Sequence, residues 1–267
     1  MKFKENIFQN YLEEAPLPLA IERWHECEIY KTKSFEHPIL DIGCGEGMYA
    51  YILFDEKIDT GIDPNSRELE RAKEYGAYSE LINCFGDDIP KPDKSYKTIF
   101  SNSVLEHIPR IDDVLKEAHR LLADDGKMCV TIPTDMFDKY SVIYQILSTL
   151  GMKNIAEKYR IFFNGFWAHY HFHDKNGWQE VFERNGFNVI EAKEYASKTT
   201  CLTNDFLAPL SIVSFLFKKY TNKWFLFPSL RKIVARLFNA IFLPILKKSD
   251  KLTGRGGLIF FELHKVN

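Results

Sequence analysis

Asp41, Gly43, Gly45 and Gly47 alternate at the end of the run ILDIGCGEG, residues 39–47. An apolar run that ends in a carboxylate and then drops every second side chain brings bare backbone against a flat, polar ligand. A dinucleotide loop would read G-x-G-x-x-G, its third glycine letting a pyrophosphate reach a helix N-terminus. Position 48 is methionine, which favours a ligand without phosphate and leaves a nicotinamide-dependent oxidoreductase as the alternative. Asp63, in GIDP, lies 22 residues beyond Asp41, about where a carboxylate accepts both hydroxyls of a ribose. GDDIP, residues 86–90, offers Asp88 to an adenine amino group and Ile89 to the ring face. The plainer reading of all these residues is a tight turn flanked by solvated loop acids.

A second group is histidine: His107 in SVLEHI, and His169, His171 and His173 in HYHFH. Imidazole titrates near neutrality and is the natural general base. Three readings of the alternating run compete. One ring touches a reacting group; or the rings pack on the following helix and satisfy backbone carbonyls; or an extended segment gathers all three on one face as metal ligands. No cysteine or paired carboxylate joins the run, so no metal site is expected.

These residues need a frame. One or two helices, broken by Pro16 and Pro18, lead through residues 1–38. Apolar runs at 39–42, 58–62, 79–85, 98–101 and 127–132 then alternate with helical patterns. NSRELERAKEYG stops at Gly76, and IDDVLKEAHRLLADDG is expected to start at an Asp112 cap and stop at Gly126. Such alternation predicts right-handed βαβ units around a parallel sheet. Residues 134–173 read as irregular and aromatic-rich. DKNGWQEVFERNGFNVIEA reads as a capped helix and a sixth strand, and GGLIFFELHKV as a seventh.

The 267 residues, 45% hydrophobic and 27% charged, suffice for one large α/β domain with decorations. Five scattered cysteines without a CxxC pair, and no signal-like apolar stretch at residues 1–16, predict a reducing, cytoplasmic setting.

Taken together and in order, the motifs resemble the class I S-adenosylmethionine-dependent methyltransferases, in particular the branch acting on small molecules and lipids. ILDIGCGEG is similar to that family's first motif, GIDP to its acidic second and GDDIP to its adenine loop. FSNSVLEHI and LADDGKMCVTIP are similar to the later motifs. Tyr96-Lys97 departs from the usual aromatic-aspartate pair. The resemblance covers about residues 38–195 and the final strand. It implies a Rossmann-like seven-stranded sheet, mostly parallel with the last strand antiparallel and helices on both faces, and S-adenosylmethionine as cofactor. Gly43, Gly45 and Gly47 would approach its methionine part, Asp63 its ribose, and Asp88 with Ile89 its adenine. Asp41, Cys44, Pro64, Asp87 and Ser101 complete the expected surroundings. The HYHFH region would line the acceptor pocket, with His171, His169 and His107 as candidate bases and His107 also a candidate pocket wall.

Residues 198–253 stand apart. Ten basic residues there meet two acids, Asp205 and Asp250, so the segment is +8 and the remainder −10 in a chain of −2. Its apolar pieces FLAPLSIVSFLF, WFLFPSL and IVARLFNAIFLPIL are each too short to span a bilayer. They read as a helical insertion before the last strand, either capping the active site or lying in the plane of an anionic membrane. Nucleic acid is disfavoured by so many aliphatics. The expected division is a lead-in at 1–38, a methyltransferase domain at 39–197 and 254–267, and this insertion. The expected activity is methyl transfer, oxygen favoured, to a small apolar or lipid-linked acceptor. The alternative is a non-catalytic cofactor-binding subunit that docks a partner through its basic face.

Overall fold

The structure, a computed structural model, describes residues 1–221, 224–225, 228–249 and 254–266. Within the expected insertion, Lys223, Asp250 and Lys251 lie outside the described residues. Two helices, α1 (Ile7–Glu14) and α2 (Leu17–Tyr30), open the chain. Pro16 caps α2 and Pro18 sits in its first turn, where a missing N–H costs nothing.

β1 (Ile39–Ile42), α3 (Met48–Leu53), β2 (Ile58–Ile62), α4 (Ser66–Tyr75), β3 (Tyr78–Ile82), β4 (Tyr96–Asn102), α5 (Ile111–Leu121) and β5 (Leu122–Pro133) form the alternating half. All four residues of β1 are buried, as a parallel strand covered on both faces requires. α4 is closed at both ends: the Asn65 side chain accepts from Arg67 N, and Gly76 adopts φ 64. α5 departs from expectation. Arg110 is its N-cap, and Asp112, inside the first turn, takes Arg184 and Asn185 instead. The helix ends at Leu121 and the strand begins at once, so Gly126 lies within β5.

The stretch 134–173 is not irregular throughout. It folds α6 (Val142–Thr149) and α7 (Lys153–Phe166). α6 buries no residue, so its apolar positions mark no inward face, whereas α7 buries Ala156, Phe163 and Asn164. Then come α8 (Lys175–Arg184), capped by Asp174 accepting from Gly177 N, and β6 (Phe187–Tyr195). The basic segment forms α9 (Lys198–Leu207), α10 (Ile212–Thr221) and α11 (Pro228–Ser249), and β7 (Leu258–Lys265) closes the fold.

The sheet order is β3-β2-β1-β4-β5-β7-β6, with β7 antiparallel to both neighbours and the other pairs parallel. One apolar core joins the sheet to α1, α2, α3 and the basic segment through Tyr30, Phe35, Phe100, Phe260, Ala235 and Leu246. The other joins it to α5 and α8 through Val130, Leu115, Trp178, Phe182 and Phe261. The carboxyl ends of β1, β2 and β4 meet where the strand order reverses, the usual crevice for a ligand.

Candidate active site

The start of the loop after β1 is held by backbone hydrogen bonds. Gly43 N and Cys44 N both donate to Ile62 O, at 3.0 and 2.9 Å, fastening it to the end of β2. Gly43 has φ 78, and a Cβ there would stand 2.5 Å from Val104 Cγ1, so no side chain fits. Gly47, also at φ 78, caps the N-terminus of α3.

Asp63 accepts from Gly45 N at 3.0 Å through Oδ2 and from Asn65 N at 2.8 Å through Oδ1. Burial pushes its carboxyl up, and those two N–H donors oppose the rise. Asp63 thus joins the glycine loop to the next strand.

A cavity of about 630 Å³ opens beside this junction, lined by Gly43, Asp63, Pro64, Asp87 and His107 among others. The remaining expected residues stand elsewhere. Asp41 is buried and accepts from the Tyr78 hydroxyl at 2.6 Å; burial carries it to about 7 against that hydrogen bond. Cys44 is buried against Gly61. Ser101 donates to Ile42 O, bracing β4 on β1. Asp88 is exposed, and Ile89 lies in the core beside α5 with its N–H donating to Glu117. The cavity is instead lined by Asp87, paired with Arg110 at 3.0 Å, and by the apolar surfaces of Phe85, Ile108 and Val114. The turn of GDDIP sends one of two adjacent aspartates inward, and adjacency alone could not say which. Phe85, an aromatic directly before the loop, was a readable signal; Arg110, 23 residues away from its partner, was not.

The lining suits a phosphate-free nucleoside. Asp63 and Asp87 are carboxylates, Arg110 is already paired, and α3 has six residues, so a pyrophosphate would meet repulsion and a weak helix dipole. A diol donating to Asp63, an amino group donating to Asp87 and a flat ring between Phe85 and Ile108 all fit. A sulfonium cation is favoured by the same acids.

The histidine run divides. His171 Nε2 lies 2.9 Å from Ile108 O, and His173 sits edge-on to Trp178; neither lines the cavity. His169 turns the other way, its ring 5.0 Å from that of His107. Both lie beside Glu106, which is buried with Oε2 unpartnered among the described residues. Burial lifts Glu106 to about 8 and lowers His107; burial and the neighbouring His107 bring His169 to about 4.

α2 contributes a buried network that sequence reasoning missed. Arg23 Nη1 donates to Glu26 Oε2 at 2.7 Å and to Ser103 Oγ at 2.8 Å, at the end of β4. Asn102 and Ser103 also donate to Glu26, which has no exposed surface. These residues lie 76 and 77 positions apart in the chain, beyond any local pattern. The basic segment reaches the glycine loop as well: Lys218 Nζ pairs with Glu46 Oε1 at 2.8 Å, and Arg231 donates to Leu12 O and Ala15 O in α1 and just beyond it.

The family described as a methyltransferase domain matches residues 19–192, more than half of the chain. The tRNA U34 carboxymethyltransferase of Histophilus somni (strain 2336) is 28% identical over 142 residues, 45% of this chain and 43% of that protein. The fatty-acid O-methyltransferase of Mycolicibacterium smegmatis is 25% identical over 155 residues, 52% and 57% respectively. The chain therefore spans about half the length of these curated relatives. Among solved structures, a SAM-dependent methyltransferase of Thermotoga maritima superposes with a TM-score of 0.55 at 16% identity, covering 93% of this chain and 91% of that one. The cyclase SpnF superposes with 0.56 at 13% identity, covering 92% and 82%. At such identities the likeness concerns the fold, and the motif-bearing residues 19–192 carry the assignment. This chain belongs to the class I S-adenosylmethionine-dependent methyltransferases.

Proposed function

We propose that this protein methylates an oxygen of a small, apolar or lipid-linked acceptor, and that it does so while resting on an anionic membrane surface. The observation that carries the acceptor class is the outer face of α11. Leu230, Ile233, Leu237, Ile241 and Ile245 recur every three or four residues and are all exposed, with Lys232, Arg236 and Lys247 beside them. Phe162, Phe166 and Trp167 on and after α7 extend the exposed apolar surface. Patches of this kind mark contact surfaces, and an apolar stripe edged with Lys and Arg suits an interfacial helix. No helix among the described residues is long and apolar enough to cross a membrane. Further support comes from the fatty-acid O-methyltransferase among the relatives.

S-adenosylmethionine, when bound, supplies the methyl group on a sulfonium leaving group. The chain's task is then alignment, exclusion of water and removal of one proton. Asp63 and Asp87 would hold ribose and adenine, and Phe85 with Ile108 would exclude water from the ring. His107 lines the cavity with Nδ1 facing Ala168 O at 3.2 Å. A carbonyl can only accept, so Nδ1 carries the hydrogen and Nε2 keeps a lone pair. Burial lowers this ring's affinity for a second proton, and its Nε2 lone pair would face the acceptor's proton.

The test is a transfer assay with a radiolabelled methyl donor against a cell extract, followed by mass analysis of the product. Label in a solvent-extractable, O-methylated small molecule supports the reading. Label confined to RNA, the acceptor named for the Histophilus relative, would overturn the acceptor class. No label in any fraction would favour a non-catalytic subunit.

A further inference from the structure

We propose that Glu106, His107 and His169 bind one divalent transition-metal ion of the Zn²⁺ type at the cavity wall, leaving a fourth position open to the acceptor's oxygen. Each residue offers one ligand atom, and the three atoms lie within 4.8 Å of one another. His107 Nε2 and Glu106 Oε1 are 3.7 Å apart. A tetrahedral ion with bonds of about 2.1 Å holds its ligands roughly 3.4 Å apart, so small side-chain rotations close the set.

Three features prepare these groups for a metal. Glu106 is 2% exposed, and its Oε2 has no hydrogen-bond partner among the described residues, a costly state for a buried carboxyl group without a cation. His107 Nδ1 is committed to Ala168 O, which leaves Nε2 as the ligand atom. His169 Nδ1 faces Asn164 Oδ1 at 3.3 Å. That amide's orientation is set by Asn164 Nδ2, which donates to Asp138 Oδ2 at 2.6 Å, so Oδ1 accepts and His169 Nε2 is likewise free. Metal-bound histidines are held in this way, with the second ring nitrogen donating to a carbonyl oxygen. Arg160 Nε also donates to Asp138 Oδ2, fixing the chain of partners. Arg23, a nearby cation, is already engaged by Glu26. Two imidazoles and one carboxylate form a ligand set found in catalytic zinc sites that keep one position for water or substrate.

The role of the open position rests on the methyl-transfer reading; the binding of the ion does not. In that role the His107 lone pair goes to the metal instead of taking a proton. The acceptor's hydroxyl oxygen binds the ion and its proton passes to water. The oxygen then forms a bond to the methyl carbon as the carbon–sulfur bond breaks, and that electron pair returns to sulfur.

The experiment titrates Zn²⁺ into the metal-stripped chain by calorimetry, alongside Glu106→Gln, His169→Ala and, as a control outside the cluster, His171→Asn. One saturable equivalent is expected, weakened at least about tenfold in the first two variants and unchanged in the third. Absence of saturable binding, or equal affinity in all four proteins, overturns the proposal. Because a cluster variant could fail to fold, the native chain is also loaded with Co²⁺. Intense visible bands of a four- or five-coordinate ion support the site, and the weak bands of an octahedral ion overturn it. S-adenosylhomocysteine binding is measured in parallel. Its retention without metal binding sinks the metal site alone, and metal binding without it sinks the methyl-transfer reading alone.

Discussion

The indole N–H of Trp224 donates to Oε1 of Glu46 at 3.2 Å, joining positions 178 residues apart in the chain. Glu46 belongs to the glycine loop and Trp224 to the basic segment, so the bond joins the two. Lys218 lies over the same indole, 4.3 Å from the ring centroid, and pairs with the same carboxylate. The insertion is thus fastened to the glycine loop on its inner side while its outer side carries exposed aliphatics.

Trp224→Phe tests that fastening. It keeps the apolar contact and removes one hydrogen bond to a charged acceptor, worth about 1.5–3 kcal/mol. Calorimetric titration with S-adenosylhomocysteine should show affinity reduced by about tenfold, since the loop must be ordered at the moment of binding. An unchanged dissociation constant would separate the insertion from cofactor binding.

Asp63→Ala removes the acceptor for Gly45 N and Asn65 N together with the carboxylate facing the cavity. S-adenosylhomocysteine should protect the native chain against thermal unfolding, and this variant should lose that protection. NAD should protect neither protein. Protection by NAD in place of the nucleoside would return the oxidoreductase reading.

Asp41 predicts a pH effect of definite sign. Burial pushes its carboxyl up to about 7, whereas an unfolded aspartate titrates near about 4. The folded chain therefore holds that proton more tightly, and the contribution is full below about 4 and lost as pH rises toward 7. Asp41→Asn still accepts from Tyr78 and carries no charge. Its thermal midpoint should exceed the native one by about 4 °C or more at pH 8, with the gap narrowing toward pH 5. Parallel melting curves across that range would rule the mechanism out.

Leu237→Glu with Ile241→Glu places two charges on the outer face of α11, where both side chains are exposed. Folding stability should change by less than about 0.5 kcal/mol for each change. Co-sedimentation with anionic vesicles should fall at least about tenfold, and binding of the native chain should weaken with salt. If native protein and double variant sediment alike at low salt, α11 is not the membrane face.

The glycine loop, Asp63, the strand–helix alternation and the antiparallel last strand were legible before any coordinates. Local chemistry dictates the first three: alternating glycines permit left-handed backbone, apolar runs of four or five residues suit buried strands, and Asn65 with Gly76 brackets a helix. The antiparallel strand came through family resemblance. α6 and α7 were not read from the sequence; α6 buries no residue and α7 buries only Ala156, Phe163 and Asn164, so most of their apolar residues, Ile143, Ile146, Ile155, Ile161, Phe162 and Phe166, stay exposed.

The choice among like residues belonged to the tertiary structure. Sequence named four histidines and two adjacent aspartates as candidates. Folding turned His169 toward His107 and Glu106 while His171 and His173 went to Ile108 O and Trp178, and it brought Asp87 rather than Asp88 to the cavity. It also buried Glu26 at the end of β4 with Arg23 on it, and set Trp224 on Glu46. Spacing along a chain encodes which backbone shapes are allowed. Which side chains meet across many residues depends on how helices and strands pack, and no local pattern carries that information.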